Sequence, residues 1–581
     1  MAFDVVASAR QEREKHVSPW LRTLTTGLVF GGFAFYFAMV GIVTMFHGRW
    51  IIVDIVSLGH ALLIMIAGAS GLYIASKTKA HNYSGLLLQG LGSGAIVGAV
   101  MALLIFVIAN FKLRFIFVQL KTPLLKLLTF GQDPWIGAMG LIAGGAFFGA
   151  LGVVFFIMNP ALRKPIVAGL TAAGVAGLFQ ELIQLMIQKY NDFRELIFTW
   201  DGMTLQGALI LFIVFAAVYG VWGWQRERMN VMVSRLPMAQ QRNFKISGYV
   251  LLGLMILMFP YFAGNFIGQV MMLVGLFTLM GMGLNLEIGL AGLLDLGFVA
   301  FYAVGAYTTA LLTADSPAAF MQLPYWAAVP IAVFLSICVG VLFGVPVLKV
   351  RGDYLAVATL GLGEIVRVIV LSDAAAPLLA GAQGILGIPR PWIGSFELDN
   401  PVALFYLTLV FSLVAAYIAY SLENSRLGRA WTAIRDDEDV AQALGINLIN
   451  VKLLAYGLGA AFAGLAGSIF AVMLGSIFPH SFQLIISINV LALIIVGGMG
   501  SLPGVVLGAA ALIGLPELLR EFGEYRFLFY GLVIVIMMRI KPEGLWPSAS
   551  RRREMLVGEE DRAVVEQELA ARKSSAATQG G

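Results

Sequence analysis

Apolar runs long enough to cross a bilayer recur along most of this chain, and they fix its fold class before any motif is read. A spanning helix needs about 20 apolar residues, because no water is present in hydrocarbon to satisfy an open backbone. Six such runs precede residue 245, at roughly 22–46, 50–76, 85–111, 136–158, 165–188 and 203–224. Eight more follow, near 246–263, 266–285, 290–313, 325–348, 355–373, 402–422, 452–475 and 525–541. The expectation is an all-α, polytopic transmembrane bundle of about fourteen spans. Composition agrees: 59% of the 581 residues are hydrophobic and only 12% are charged. Soluble domains carry about 25% charged residues. A water-soluble globule is therefore excluded, and so is a charge-rich disordered chain.

The N-terminal 20 residues are polar, with Arg10, Arg13 and Lys15, and no small-residue cleavage site follows the first apolar run. They read as the cytoplasmic end of a start-transfer helix. Six crossings then return the chain to the cytoplasm at the basic linker 225–245, with Arg226, Arg228, Arg235, Arg242 and Lys245. The same count puts Lys349, Arg351 and the segment 425–452 inside, and 374–401 outside. One segment dissents. Residues 111–130 carry Lys112, Arg114, Lys121 and Lys126 on the outer side, a pattern suited to an interfacial amphipathic helix. Net charge is +5, from 38 basic and 33 acidic residues. In such a chain it reads as cytoplasmic loop charge, not as a nucleic-acid surface.

Three domains are expected: a six-helix membrane extension over 1–243, a second membrane block over 244–547, and a charged cytoplasmic tail over 548–581. Within the second block, Gly497-Gly498-Met499-Gly500-Ser501-Leu502-Pro503-Gly504 breaks an apolar stretch near 484–515. Glycine and proline at this density end helices. Two short half-helices forming a hairpin inside the bundle keep the crossing parity, since broken backbone at membrane depth needs protein or a cavity around it.

The cytoplasmic segment 427–446 carries mechanism. Asp436, Asp437, Glu438 and Asp439 cluster where a helix begins, and Gly445 stands where it ends. Val440, Ala443 and Leu444 recur at helical spacing as one apolar face. So short a helix is unstable alone in water and needs a partner surface. An ordinary solvated loop helix is the plainer alternative.

Asp439-Val440-Ala441, three residues and Gly445 resemble the Glu-Ala-Ala-x-x-x-Gly loop of ABC-type importer permeases, with aspartate and valine at the first two positions. Four further segments resemble branched-chain amino acid permeases of the LivM type. They are NLEIGLAGLLDLGFVAFYAVGAYTTALL (285–312), RGDYLAVATLGLGEIVRV (351–368), ALIIVGGMGSLPGVVLGAAAL (492–512) and EYRFLFYGLVIVIMMRIKPEGLWP (524–547). Together the five cover about 246–547 in family order. Residues 1–243 match nothing in that family, and the outer loop has Ala380-Gly381-Ala382-Gln383-Gly384-Ile385 where members often carry Thr-Gly-Gly-x-x-Gly-Ile.

The resemblance implies a permease subunit of an ABC importer in the cell's inner membrane, with both termini cytoplasmic. Its cargo would be branched-chain amino acids or similar small polar solutes. Its partners would be ATP-binding cassette subunits, a second permease of the LivH kind and an extracytoplasmic solute-binding protein. ATP would be used by the partners, with no cofactor on this chain. Arg429, Arg435, Asp436, Glu438, Asp439, Val440, Ala441, Leu444 and Gly445 would couple it to the ATPase. Asn285, Gly292, Asp295, Gly297, Gly498 and Gly500 are the candidates for the substrate pathway.

Intramembrane charges carry separate readings. Glu364 and Arg367, at i and i+3 inside an apolar run, suit a buried structural ion pair, with a pathway role as the alternative. Asp295 divides between helix–helix bonding and lining the path. Asn285 and Glu287 near a helix end are accounted for by capping or by water. Glu181 suits a partner within the extension. An ion-coupled secondary transporter or channel working through Glu364, Asp295 or Glu181 is the second function class. A membrane-embedded enzyme is the third. The chain has no Gly-Lys pair and hence no P-loop, and no His-Glu-x-x-His. A single cysteine, Cys338, excludes an internal disulfide, and five histidines offer little for a metal site.

Overall fold

The computed structural model describes residues 18–47, 50–53, 55–78, 83–111, 122–188, 190–234, 237–316, 320–348, 350, 352–523, 525–541 and 543–547. Arg10, Arg13, Lys15, Lys112, Arg114, Lys121, Arg235, Lys349, Arg351, half of the interfacial segment 111–130 and the tail 548–581 lie outside them. Among the described residues, eleven helices are long and apolar enough to cross a membrane, or twelve if one bent pair is a single span. The chain is an all-α polytopic bundle, and among the described residues three two-stranded ribbons stand beside the helices. Contacts divide it into two compact units, Met1–Leu251 and Leu252–Gly581.

In the first unit the helices are α1 (Pro19–Val40), α2 (Ile42–His47), α3 (Leu58–Lys77), α4 (Tyr83–Asn110), α5 (Thr122–Leu128), α6 (Pro134–Ile157), α7 (Pro160–Leu178), α8 (Gln180–Met186), α9 (Asn191–Ile197) and α10 (Leu205–Ser234). Glycines set its packing. On α4, Gly90, Gly94 and Gly98 stand four residues apart, facing Gly145 and Gly149 of α6. A Cβ at Gly94 would strike the carbonyl of Gly145, and one at Gly71 of α3 would strike that of Gly149. Bare backbones thus touch, which is how helices associate where no hydrophobic effect drives them. The expected fifth span departs from the sequence reading. Its apolar run stops at Phe179, and α8, opening with Gln180 and Glu181, folds back at 84° to α7. Glu181 lies exposed in that first turn.

The second unit begins in α11 (Met238–Leu284), whose backbone leaves helical geometry at Gly264 (φ 84°, ψ −176°). A π-helical turn, Asn285–Leu290, continues it. Then follow α12 (Val299–Thr313), α13 (Tyr325–Val347), α14 (Asp353–Leu371), α15 (Ala376–Leu379), α16 (Pro401–Glu423), α17 (Arg426–Asp436), α18 (Glu438–Ala443), α19 (Leu448–Leu474), α20 (Leu484–Gly497), α21 (Leu502–Ala509), α22 (Leu515–Leu518) and α23 (Tyr525–Ile540). The shortfall from about fourteen spans has a physical origin. The runs 246–263 and 266–285 form one element bent at Gly264, and α12 and α23, at 15 and 16 residues, are shorter than a full span. The run 290–313 loses its first third to extended backbone, because Gly292 (φ 72°) stops the π-turn.

α19 is the central post. Sixteen of its residues are buried, and it packs on α12 and α13. Gly464 abuts Gly305 of α12 and Ser336 of α13, so neither neighbour could approach if it carried a side chain. Phe298, Phe301 and Tyr456 form edge-on ring pairs at 6.3 and 5.3 Å in the core. In the loop between α15 and α16, Ile385–Leu386 pairs antiparallel with Ser476–Ile477, and Gly384 (φ 70°) presses on the carbonyl of Ile477. The loop's departure from the family motif therefore leaves its glycine turn in place.

Gly305→Val should lower the detergent melting temperature sharply, since overpacking typically costs about 1–3 kcal/mol and here the obstacle is backbone. Gly361→Ala, which meets nothing within 4 Å, should leave melting unchanged or raise it. The pair is read by thermal unfolding in one detergent.

Candidate functional site

The broken segment after the π-turn is held by side chains from two other elements and by one of its own. The Leu296 N–H donates to Thr359 Oγ1 at 3.0 Å, the Val299 N–H to Ser487 Oγ at 2.9 Å, and the Gly297 N–H to Asp295 Oδ1 at 2.7 Å. A Cβ at Gly297 would strike the carbonyl of Thr359. Gly297 is thus bare for close contact with α14. Asn285 reaches the opposite way. Its Oδ1 accepts the Gly500 N–H at 2.8 Å, joining the π-turn to the glycine-rich hairpin.

That hairpin is present between α20 and α21. Gly497 lies against Gly504, and Gly508 against Leu493, so the arms run antiparallel with backbones in contact. The first arm is longer than a half-helix: with the preceding turn, Pro479–Gly497 reaches spanning length. The chain's closing segment covers the turn. The Leu545 N–H donates to the Val496 carbonyl at 2.8 Å and the Trp546 N–H to that of Gly497 at 2.9 Å. Gly544 and Gly498 meet backbone to backbone, which explains why the Pro-x-Gly-Leu ending and the Gly-Gly-x-Gly-Ser hairpin belong to one pattern. The backbone groups at Gly498 and Gly500 are engaged within the protein. The Gly498 N–H donates to the Ile494 carbonyl at 2.9 Å.

The segment 425–446 forms two helices, α17 and α18. Ser425 caps the first, accepting from the Leu427 and Gly428 amides at 3.1 and 3.3 Å. Trp431 anchors it, fully buried, with Nε1–H donating to the Val451 carbonyl at 2.8 Å. Asp437 caps the second, accepting from the Asp439 and Val440 amides at 2.9 and 3.0 Å. Gly445 (φ 89°) closes it in the left-handed conformation, with the Ile446 N–H bonded back to the Ala441 carbonyl. Both boundaries lie where the acidic cluster and Gly445 put them. Ala441 is buried, and Glu438 pairs with Lys452 of α19. Val440 and Leu444 point away, at 55% and 77% exposure, beside exposed Asp436 and Asp439. Arg429 is exposed on α17.

Arg435 ties the loop to the broken helix. Its Nη1–H donates to the Gly289 carbonyl at 2.7 Å, and its side chain covers Gly292. The loop, the π-turn and the hairpin therefore form one continuous series of bonds: Arg435 to Gly289, and Asn285 to Gly500. The sequence reading singled out Arg435, Asn285 and Gly500 separately, passed over Gly289, and showed none of these contacts.

Glu364 and Arg367 do bond, with Arg367 Nε–H at 3.0 Å from both carboxylate oxygens. They are not buried, contrary to the sequence reading: their side chains are 48% and 31% exposed. They lie among exposed Val357, Ile365 and Val368 on the outer face of α14. A helix turns one stripe inward, and here that stripe is Leu355, Ala356, Thr359, Gly363 and Val370. Glu287 is also corrected. It faces neither water nor a cap but is fully buried against Gly459 of α19, close enough to interact with Asp295 and Tyr456. Neither Glu287 oxygen, nor Asp295 Oδ2, has a hydrogen-bond partner among the described residues. A lone glutamate near a glycine gives no sequence signal for such burial. No group of three metal-ligating side chains occurs among the described residues.

A multispan bundle with a braced helix break and a capped loop helix bonded to it is an arrangement suited to a membrane transport permease. Comparisons with known proteins agree. The family profile described as "Branched-chain amino acid transport system / permease component" matches residues 266–538. The high-affinity branched-chain amino acid transport system permease protein LivM of Salmonella typhimurium is 38% identical over 295 residues, covering 47% of this chain and 68% of the relative. LivM of Escherichia coli matches to the same extent. The corresponding LivH protein of Salmonella typhimurium is 24% identical over 288 residues, covering 46% of this chain and 90% of the relative. No solved structure matches. The chain belongs to the branched-chain amino acid transport permease family, whose members are transporters and not enzymes.

Asn285→Leu should leave the Gly500 N–H buried and unbonded, a loss of about 1–3 kcal/mol. Arg435→Met should do the same to the Gly289 carbonyl. Both variants are expected to melt below the parent in detergent, and parental melting for both would show that these bonds do not hold the junction.

Proposed function

We propose that this chain is one of two permease subunits of an ATP-driven importer in the inner membrane, carrying branched-chain amino acids or similar small zwitterionic solutes inward. The observation that carries the reading is the exposed apolar pair Val440 and Leu444 at α18, which is held to α19 by Glu438–Lys452 and follows directly on α17, whose Arg435 bonds to the transmembrane break. A short helix of this kind gains stability only by docking, and ATP-binding cassette subunits are its partners. Their closure would press α18, and Arg435 would pass the displacement to Gly289 and, through Asn285, to the hairpin. A solute-binding protein would deliver cargo on the outside.

The path runs between this chain and a second, LivH-like permease. The charged outer face of α14 supports this. Charge on a lipid-facing surface is costly, so Glu364 and Arg367 belong against water or a partner. Asp295, Gly292 and Gly297 form the braced segment behind that face, while Gly498 and Gly500 hold the hairpin turn. Residues 1–243 act as an accessory module, and both termini lie in the cytoplasm. Apolar side chains of the cargo would sit on the exposed aliphatic residues of α14, with its charged ends near the Glu364–Arg367 pair.

The buried Glu287–Asp295 pair is the one feature an ion-coupled carrier would share. Reconstitution with the cassette, second permease and binding protein separates the two. Expected is leucine, isoleucine and valine uptake that requires ATP. Uptake driven by an ion gradient without ATP would replace this reading.

Val440→Asp with Leu444→Asp should abolish that uptake while leaving melting near parental. Burying an unpaired charge costs about 3–5 kcal/mol, which weakens cassette binding on the order of a hundredfold or more. Co-purification of the cassette with the variant measures it.

A further inference from the structure

We propose that the first unit holds a binding site for an anionic phospholipid, with one acyl chain between α7, α8, α9 and α10 and the phosphate at Arg163 and Lys164. A cavity of about 790 Å³ opens there. Its walls are apolar, with Val167 and Val175 from α7, Ile183 from α8 and Phe215 from α10. The two cations stand at the start of α7, in a first turn with no acidic residue. Neither pairs with a carboxylate among the described residues. Arg163 Nη1–H donates to the Phe156 carbonyl at 3.4 Å.

The dimensions fit. From Lys164 to Ala176 the α7 wall extends about 18 Å at 1.5 Å per residue. One leaflet's hydrocarbon is about 15 Å deep, half of the bilayer core. A chain entering beside Lys164 would thus lie along the groove for its whole length. The bend between α7 and α8 makes this space, because a straight fifth span would leave no floor of Ile183 and Ile187 beneath it.

Charge selects the occupant. Basic side chains at a groove between transmembrane helices attract anionic headgroups, and their long stems lie along apolar surface while the charge stays at headgroup depth. A zwitterionic lipid brings the same phosphate but cancels it with its own cation. A helix from another protein would fill the apolar part and leave both cations without a counter-charge. Counting crossings from a cytoplasmic N-terminus puts Arg163 and Lys164 in the inner leaflet, where positive loops gather.

The test uses the full-length protein, delipidated in detergent and titrated with phosphatidylglycerol or phosphatidylcholine of equal chain length. Bound lipid is counted by native mass spectrometry. Phosphatidylglycerol should be retained at least tenfold better. Arg163→Gln with Lys164→Gln should remove that preference and leave phosphatidylcholine retention unchanged. Ala172→Phe, which fills the groove, should weaken both lipids, with melting confirming that the variant is folded. Equal retention of the two lipids by the parent, or an undiminished preference in the double variant, would overturn the proposal. So would a cysteine at position 172 that crosslinks to a protein partner in membranes and not to a photoactivatable phosphatidylglycerol.

Discussion

Every backbone break at membrane depth must be closed by a neighbour, because hydrocarbon offers no hydrogen bond in place of the lost one. The second unit depends on this constraint. Its backbone leaves regular helix between the π-turn and α12, and again between α20 and α21. At the first break Thr359, Ser487 and Arg435 supply the missing partners. At the second they come from Asn285 and from the backbone of Leu545 and Trp546. Elements far apart in sequence are thereby obliged to meet. The breaks are the joints of the bundle, and the bonds that close them are its linkages.

Glycine makes those linkages short. Contact of one backbone with another across two elements is available only if no Cβ intervenes. Gly297 against Thr359, Gly305 against Gly464, and Gly498 against Gly544 all show it. The same device organises the first unit through α3, α4 and α6. The cost is loss of side-chain packing at those positions, offset by dispersion between closely approaching backbones.

Charge placement then separates the roles of the polar residues. Glu438 and Lys452 lie at the base of the two-helix loop and fix α18 to α19. Glu364 and Arg367 satisfy one another on an outer face. Glu287 and Asp295 share an enclosed space behind the braced segment with Tyr456 nearby. The four carboxylates thus occupy three different environments.

The sequence by itself determined what depends on neighbours along the chain. Apolar run length settled the helical membrane fold, since a span is a local property. Local cap chemistry settled α18, because Asp437 and Gly445 act on amides and carbonyls a few residues away. The glycine-rich hairpin was legible for the same reason. Only the tertiary structure decided what depends on which helices meet. The bend after Phe179, the exposure of Glu364 and Arg367, and the burial of Glu287 all follow from packing partners that lie tens to hundreds of residues away. The joining of Arg435 to Gly289 and of Asn285 to Gly500 is of the same kind: periodicity tells which face of a helix is apolar, but not what stands opposite it.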